Sequence, residues 1–401
     1  MVFGTKKNKE KHFKKMEKET KKKKLLVATD NYLPRWDGIA RFLNEIIPRI
    51  KNKYDITIIS PDFGNTNHKE IKHIRIPLSK IKYGDYQAAK LDIKTIKKEV
   101  KKNDIIFTQT IGPIGLPTIL QAKKQKKPIA AYTHSIEWEL APLATKNILL
   151  KKFLYPLMKI YTKIIYNKID LLIVPSEGTK ETLSWQNIRT HKEVVHLGVN
   201  SQQFKPLKER TEKEQNEIED IKKQINPENY TLIGNHGRIA EEKDLLTLLR
   251  AFNWLQKNNE KVKLIIIGDG LERIKQKIRQ TKNTILIERT NEPEKYLNLI
   301  DIYVTTSLTE TTSLSTIEAM SSGTPVISTA VGFIKDYIQK NKNGFLIKQK
   351  DSYDLYKIMQ LLIDNKDLAK KIGNKGRTTV TQIFNWDNTA KNITKLLKKL
   401  E

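Results

Sequence analysis

The sequence contains no cysteine among its 401 residues. That excludes a disulfide-stapled fold, a thiolate zinc site, an iron–sulfur centre and a thiol nucleophile. Acidic residues are in deficit, 45 Asp+Glu against 74 Lys+Arg, which leaves a formal charge of +29. Long apolar runs are missing too. The longest uncharged stretch, residues 105–122, is broken by Gly112, Pro113, Gly115 and Pro117, so it reads as strand, loop and helix start and not as a membrane span. Residues 1–24 carry eleven Lys and three Glu with no apolar core of signal-peptide length, and read as a solvated basic tail. There is no Gly-x-x-x-x-Gly-Lys-Ser/Thr loop, and Gly268-Asp269-Gly270 lacks the third glycine of a dinucleotide fingerprint. No Asp-x-Asp pair is present, so a carboxylate-held Mg²⁺ is not indicated, and the His residues show no metal-ligand spacing. No metal site and no cofactor are expected.

What is present points to two α/β domains. A 38% hydrophobic content is enough for proper cores, and the length favours two of them. Short β-branched runs alternate with helical periodicity: Leu25–Ala28, Ile56–Ile59, Ile105–Thr108, Ile129–Tyr132 and Leu171–Val174, then Thr231–Gly234, Lys263–Ile267, Thr284–Ile287, Ile302–Thr305 and Pro325–Ser328. That rhythm predicts βαβ units and two parallel sheets with buried strands. The boundaries expected are a basic tail over 1–23, an N-terminal domain over 24–206, a charged linker with a solvated helix over 207–230, a C-terminal domain over 231–380, and a terminal helix over 381–401. Two Rossmann-like domains place a ligand in the cleft between them, at the carboxyl ends of strands.

The most informative segment runs from Asp301 to Ser328: strand, Thr/Ser-rich loop with Glu310, helix with Glu318, then Gly323-Thr324-Pro325 and another strand. The helix start near Ser313-Leu314-Ser315-Thr316 directs N–H groups and positive dipole at the cleft, where a diphosphate is favoured. Glu318 would chelate a ribose diol, and Glu310 on the loop would reach a sugar ring. After the strand that ends near Gly234, Gly237-Arg238 with Lys243 offers backbone room and two cations for two phosphates.

These motifs, with Asp37-Gly38-Ile39-Ala40 after Thr29–Pro34 and with Leu197-Gly198-Val199-Asn200, occur in the order of a known family. Over about residues 24–399 the chain resembles the retaining GT-B glycosyltransferases of family 4. The resemblance implies that Arg238 and Lys243 hold the donor diphosphate, Glu318 the ribose and Glu310 the transferred sugar, that Gly38 lets the first loop approach the phosphates, and that His134 sits near the anomeric carbon. It implies a metal-independent enzyme that uses a UDP-, GDP- or ADP-sugar as substrate. Two departures stand out. Where the family usually has Glu-Gly-Phe-Gly, this chain has Glu310-Thr311-Thr312-Ser313, a stiffer and more polar loop. Where it often has Gly-Gly, this chain has Asp37-Gly38, and Asp37 would repel a phosphate unless turned away.

The acceptor side is read from charge and aromatics. Residues 1–200 hold 40 basic and 19 acidic side chains, a net +21. Residues 147–169 interleave Lys151, Lys152, Lys159, Lys163 and Lys168 with Leu149, Leu150, Phe153, Leu154, Tyr155, Leu157, Ile160, Tyr161, Ile164 and Ile165. Such a helix either lies in a membrane interface or packs its apolar stripe on its own sheet. The expected partners are a nucleotide-sugar donor, a lipid or glycan acceptor and an anionic membrane surface, with no specific nucleic acid; the expected location is the cytoplasmic membrane face. The alternatives are a basic nucleic-acid-binding protein and a sugar-nucleotide 2-epimerase of GT-B fold.

Overall fold

The structure, a computed structural model, describes residues 22–35, 37–64, 71–83, 86–145, 147–288 and 290–401. The basic tail expected over 1–23 lies outside the described residues except for Lys22 and Lys23. In the N-terminal half, β1 (Lys23–Ala28), β2 (Tyr54–Pro61), β3 (Lys72–Ile76), β6 (Ile105–Thr108), β7 (Ile129–Tyr132), β8 (Leu171–Val174) and β9 (His191–Val194) form one parallel sheet, in the order β3-β2-β1-β6-β7-β8-β9. A hairpin of β4 (Leu78–Tyr83) and β5 (Tyr86–Ala89) stands apart from it. In the C-terminal half, β10 (Thr231–His236), β11 (Val262–Ile267), β12 (Thr284–Ile287), β13 (Ile302–Thr305), β14 (Val326–Thr329) and β15 (Phe345–Ile347) form a second parallel sheet, β12-β11-β10-β13-β14-β15.

Both sheets are covered on both faces, which is why their strands are continuous apolar runs. Leu25 and Val27 belong to one core cluster and Leu26 and Ala28 to the opposite one. Likewise Leu264 and Ile266 face away from Ile265 and Ile267. The strand order reverses between β1 and β6 and between β10 and β13. Loops leaving these four strands therefore splay apart and open a crevice at the carboxyl ends. The architecture is two Rossmann-like α/β domains facing across a cleft.

The chain crosses between the domains twice, and both crossings differ from the expected boundaries. Val199 and Phe204 pack in the C-terminal core, so the first crossing precedes the boundary set at 206. The helix Lys366–Ile383 runs straight through the boundary set at 380, and the second crossing comes at Phe384–Asn385. The stretch expected as linker carries the helix Glu212–Ile225, started by a Thr211/Glu214 capping box. The last helix, Trp386–Lys398, returns to the first domain, where Ile393 and Leu397 are fully buried beside Leu43 and Ile47. Each such buried side chain contributes about 1.5–3 kcal/mol. Val199 pairs in a bridge with Asn385, so the two crossings run side by side.

Candidate active site

The loops at the two switch points meet across the cleft. On the N-terminal side, Asp37 precedes the helix Gly38–Ile50 and its Oδ1 accepts from the Ala40 N–H at 2.9 Å. The carboxylate is thereby turned onto its own helix, which answers the repulsion the sequence raises for Asp37. A Cβ on Gly38 would meet nothing within 4 Å, so nothing in the fold itself requires glycine there. His134, just beyond β7, holds Gln109 Oε1 through Nε2 at 2.9 Å and packs against Phe42 and Tyr132. Burial drives its pKa down to about 3, so the imidazole is neutral across the physiological range. Three residues on, Glu137 accepts from the Tyr166 hydroxyl at 2.8 Å, and burial pushes its carboxyl up to about 7.

On the C-terminal side, the loops after β10 and β11 interlock. Gly268 has φ +156°, and a Cβ on it would fall 1.8 Å from the Gly237 carbonyl oxygen. The Gly268-Asp269-Gly270 motif thus serves close backbone crossing behind the Gly237 loop, bridged at Ile239 and Gly270. Arg238 pairs with Glu242, and Lys243 Nζ lies 2.5 Å from Glu310 Oε1, which also accepts from the Ser307 hydroxyl at 2.8 Å. The Thr306 hydroxyl donates to the Lys243 and Asp244 carbonyls, lacing the two loops together. Both cations assigned to the diphosphate therefore have carboxylate partners within the cleft wall.

The helix Leu314–Ser321 begins at Ser313, which adopts φ +61°, a left-handed conformation. Ser313 Oγ is 2.8 Å from Thr316 Oγ1, and Ser315 hydrogen-bonds Tyr303. Leu314 contributes its backbone to the helix start, while its side chain joins the N-terminal domain's core. The departure from Glu-Gly-Phe-Gly acquires a role: the Thr311 hydroxyl donates across the cleft to the His134 carbonyl at 2.9 Å. Tyr337 holds the next residue by donating to the Thr312 carbonyl at 2.8 Å. A second cross-cleft bond runs from Thr309 Oγ1 to Glu139 Oε2 at 3.0 Å.

Two residues that the sequence reading does not include complete the cluster. Arg41, in the first turn of the helix Gly38–Ile50, forms an ion pair with Glu318 from the opposite domain. His236, at the end of β10, places Nδ1 3.6 Å from Glu318 Oε2. Burial lowers the His236 pKa to about 3, with the charges of Arg41 and Lys243 adding to the effect. A signal for Arg41 does exist in the sequence. A cation in a helix's first turn runs against the macrodipole and calls for a partner elsewhere.

Comparison with known proteins matches this geometry to a family. The model described as "Glycosyltransferase Family 4" matches residues 36–203, and that described as "Glycosyl transferases group 1" matches residues 216–379. The chain belongs to the GT-B glycosyltransferases of family 4. It is 25% identical to an alpha-monoglucosyldiacylglycerol synthase of Streptococcus pneumoniae over 334 residues, 79% of this chain and 74% of that one. It is 25% identical to the capsular polysaccharide biosynthesis glycosyltransferase CapM of Staphylococcus aureus over 395 residues, 94% of this chain and 97% of that one. Among solved structures, Anabaena HepE in complex with UDP and glucose superposes with a TM-score of 0.75 at 16% identity, covering 94% of this chain and 99% of that one. A glycosyltransferase built of two Rossmann-like domains facing across a cleft follows.

Proposed function

We propose that this glycosyltransferase moves a hexose, with retention of configuration and without a metal ion, from a UDP-, GDP- or ADP-sugar to a membrane lipid or lipid-linked glycan, working peripherally on the cytoplasmic membrane face. The observation that carries the donor half is the convergence of Arg238, Lys243, Glu310, Glu318 and the helix start at Ser313-Leu314-Ser315 on one cleft wall. Arg238 and Lys243 neutralise the departing diphosphate together with the helix N–H groups. Gly38, with open space where a side chain would be, leaves the first loop room to approach the phosphates. Neutral His134 faces the transferred sugar without adding charge, and Glu310 reaches the sugar ring. With the leaving phosphate aiding attack from its own side, no protein nucleophile is needed.

Binding titrations with UDP, GDP and ADP and their hexose conjugates, run in EDTA, test the donor half. One base is expected to bind. Glu318→Ala is expected to weaken the free nucleoside diphosphate and the sugar conjugate alike, about 10-fold or more. Glu310→Ala is expected mainly to lower turnover. Failure of all three nucleotides to bind would reject the donor assignment.

The acceptor half rests on the helix Ile148–Tyr166. Only Thr162, Ile165 and Tyr166 are buried, whereas Ile148, Leu149, Phe153, Ile160 and Ile164 are exposed, Leu149 by 78% and Phe153 by 64%. Met158, Tyr161, Ile165 and Tyr166 pack into the core on the chain's own sheet, whereas these exposed side chains lie outside that contact. Because this helix leads into β8, its C-terminal end lies with the strand starts and its exposed N-terminal end with the cleft. Among the described residues no helix is long and apolar enough to cross a membrane. Lys123, Lys126 and Lys127, by contrast, line a groove with Lys23 and Asp170 at the starts of β1, β6, β7 and β8, away from the cleft. They do not serve the same surface as the helix start.

Near an anionic bilayer each well-placed Lys is worth about 1 kcal/mol, and inserted Leu and Phe add to it. Co-sedimentation with anionic vesicles at low salt is therefore expected, and Leu149→Ser with Phe153→Ser is expected to reduce it severalfold. Equal recovery with neutral and anionic vesicles would reject the membrane assignment.

A further inference from the structure

We propose that Arg41 is a positioning residue for donor binding: it reaches from the N-terminal domain to orient Glu318, so that the donor's ribose is recognised only when the cleft is closed. The proposal rests on the reading of Glu318 as the ribose carboxylate.

Three observations carry it. Arg41 leaves a helix whose Ala40, Phe42, Leu43, Ile46 and Ile47 are all buried in the first domain, yet its own side chain points to the second. The pair is largely removed from water, with 16% of the Arg41 side chain and 6% of the Glu318 side chain exposed. A guanidinium so placed has to be compensated, and its contact to one carboxylate oxygen holds the Glu318 side chain toward the cleft while leaving the other oxygen for a second donor. Secondly, Arg41 engages Oε1 only. Glu318 Oε2 is buried with no hydrogen-bond partner among the described residues, and His236 Nδ1, 3.6 Å away, also lacks one. A buried carboxylate oxygen without a donor is costly, so this is where an incoming hydroxyl gains most. A ribose hydroxyl donating to Oε2 leaves the Arg41 contact to Oε1 in place.

Thirdly, the two ends of the pair belong to different sheets. Domain opening would separate them and leave Glu318 both uncompensated and free to rotate. Closing the cleft restores the orientation, alongside the Thr311–His134 and Thr309–Glu139 bonds that span the same gap. Ribose recognition and closure are thus one event at Glu318. The opposite arrangement, in which Arg41 blocks Glu318 and ribose has to displace it, predicts tighter binding when Arg41 is removed.

The test measures dissociation constants of UDP, GDP and ADP, and of their 2′,3′-dideoxy forms, for the wild-type chain and for Arg41→Ala, Arg41→Lys, Glu318→Ala and the Arg41→Ala/Glu318→Ala double variant. For the base that binds, the wild type is expected to prefer the ribose form by about 10-fold or more. Glu318→Ala should abolish that preference, Arg41→Ala should abolish it as well, and the double variant should be no worse than Glu318→Ala alone. If Arg41→Ala does not fold, Arg41→Lys decides: it keeps the charge but not the planar, delocalised guanidinium, and should lose at least about threefold of the preference. Retention of the preference in the Arg41 variants, or tighter binding, overturns the proposal while leaving the ribose role of Glu318 intact. Retention in Glu318→Ala overturns that role and the proposal with it.

Discussion

Lys243→Ala is expected to lower kcat/KM by roughly two orders of magnitude, and Arg238→Ala by less. The two cations would share the diphosphate, but their surroundings differ. Lys243 Nζ sits 2.5 Å from Glu310 Oε1, with only 21% and 12% of the two side chains exposed. Removing the ammonium would delete the charge-assisted contact proposed to the phosphates, worth about 1.5–3 kcal/mol. It also leaves the Glu310 carboxylate without its counter-ion and facing an incoming dianion. Truncating one member of a poorly hydrated charge pair costs about 2–5 kcal/mol, much of it from the charge left behind. Arg238, in contrast, pairs with Glu242 in the same loop and is more open to water, at 30% exposure. Measured kcat/KM with the full donor, and the dissociation constant of the nucleoside diphosphate, check the ranking. Lys243→Ala/Glu310→Gln should recover part of the lost nucleotide affinity because it removes the stranded charge. A smaller loss in Lys243→Ala than in Arg238→Ala would contradict the role given to the Lys243–Glu310 pair.

The sheets were legible in the sequence where burial is two-sided. Leu25–Ala28, Ile105–Phe107 and Leu171–Val174 are buried throughout, and each stands out as an unbroken apolar run. Three outer strands were not. Lys72–Ile76 and His191–Val194 lie at sheet edges and mix Lys, His, Arg and Glu with their apolar residues, and Phe345–Ile347 is only three residues long. An edge strand meets water along one side, so its composition is freed from the pattern that betrays a central one. The site divides in the same way. Arg238, Lys243, Glu310 and Glu318 follow one another through the second domain at two βα junctions, and the resemblance to a known family groups them. Arg41 and His236 were missed because their partner, Glu318, is set by how helices and strands of separate units come together. The helix Ile148–Tyr166 was ambiguous for a related reason: its apolar stripe is visible in the sequence, but whether a sheet covers it is a tertiary fact.

Gly332→Ala is expected to lower kcat by about two orders of magnitude while changing nucleoside diphosphate affinity far less. Gly332 has φ +52°, and a Cβ on it would stand 1.8 Å from the Glu310 carbonyl oxygen and 3.0 Å from that of Thr311. Those atoms are backbone, so the clash is relieved only by moving the loop. The next residue ties the same loop down, since the Phe333 N–H donates to the Thr311 carbonyl at 2.8 Å. A displacement of about 1 Å pulls Glu310 from Lys243 and the Thr311 hydroxyl from His134, and misplacement of that size costs about 10²-fold in rate. The left-handed backbone adds about 1–2 kcal/mol of destabilisation for a residue with a Cβ. The helix that carries Glu318 is held independently, by Ser321 donating to the Phe204 carbonyl at 2.7 Å and by Ile317 and Met320 in the core. Ribose binding should therefore survive. Gly38→Ala is the matched comparison: it adds the same methyl at a position facing open space, so its melting temperature should stay at the wild-type value where that of Gly332→Ala falls. Should Gly332→Ala turn over the donor at the wild-type rate, the 310–312 loop would tolerate displacement, and Glu310 would lose its place among the residues that meet the transferred sugar.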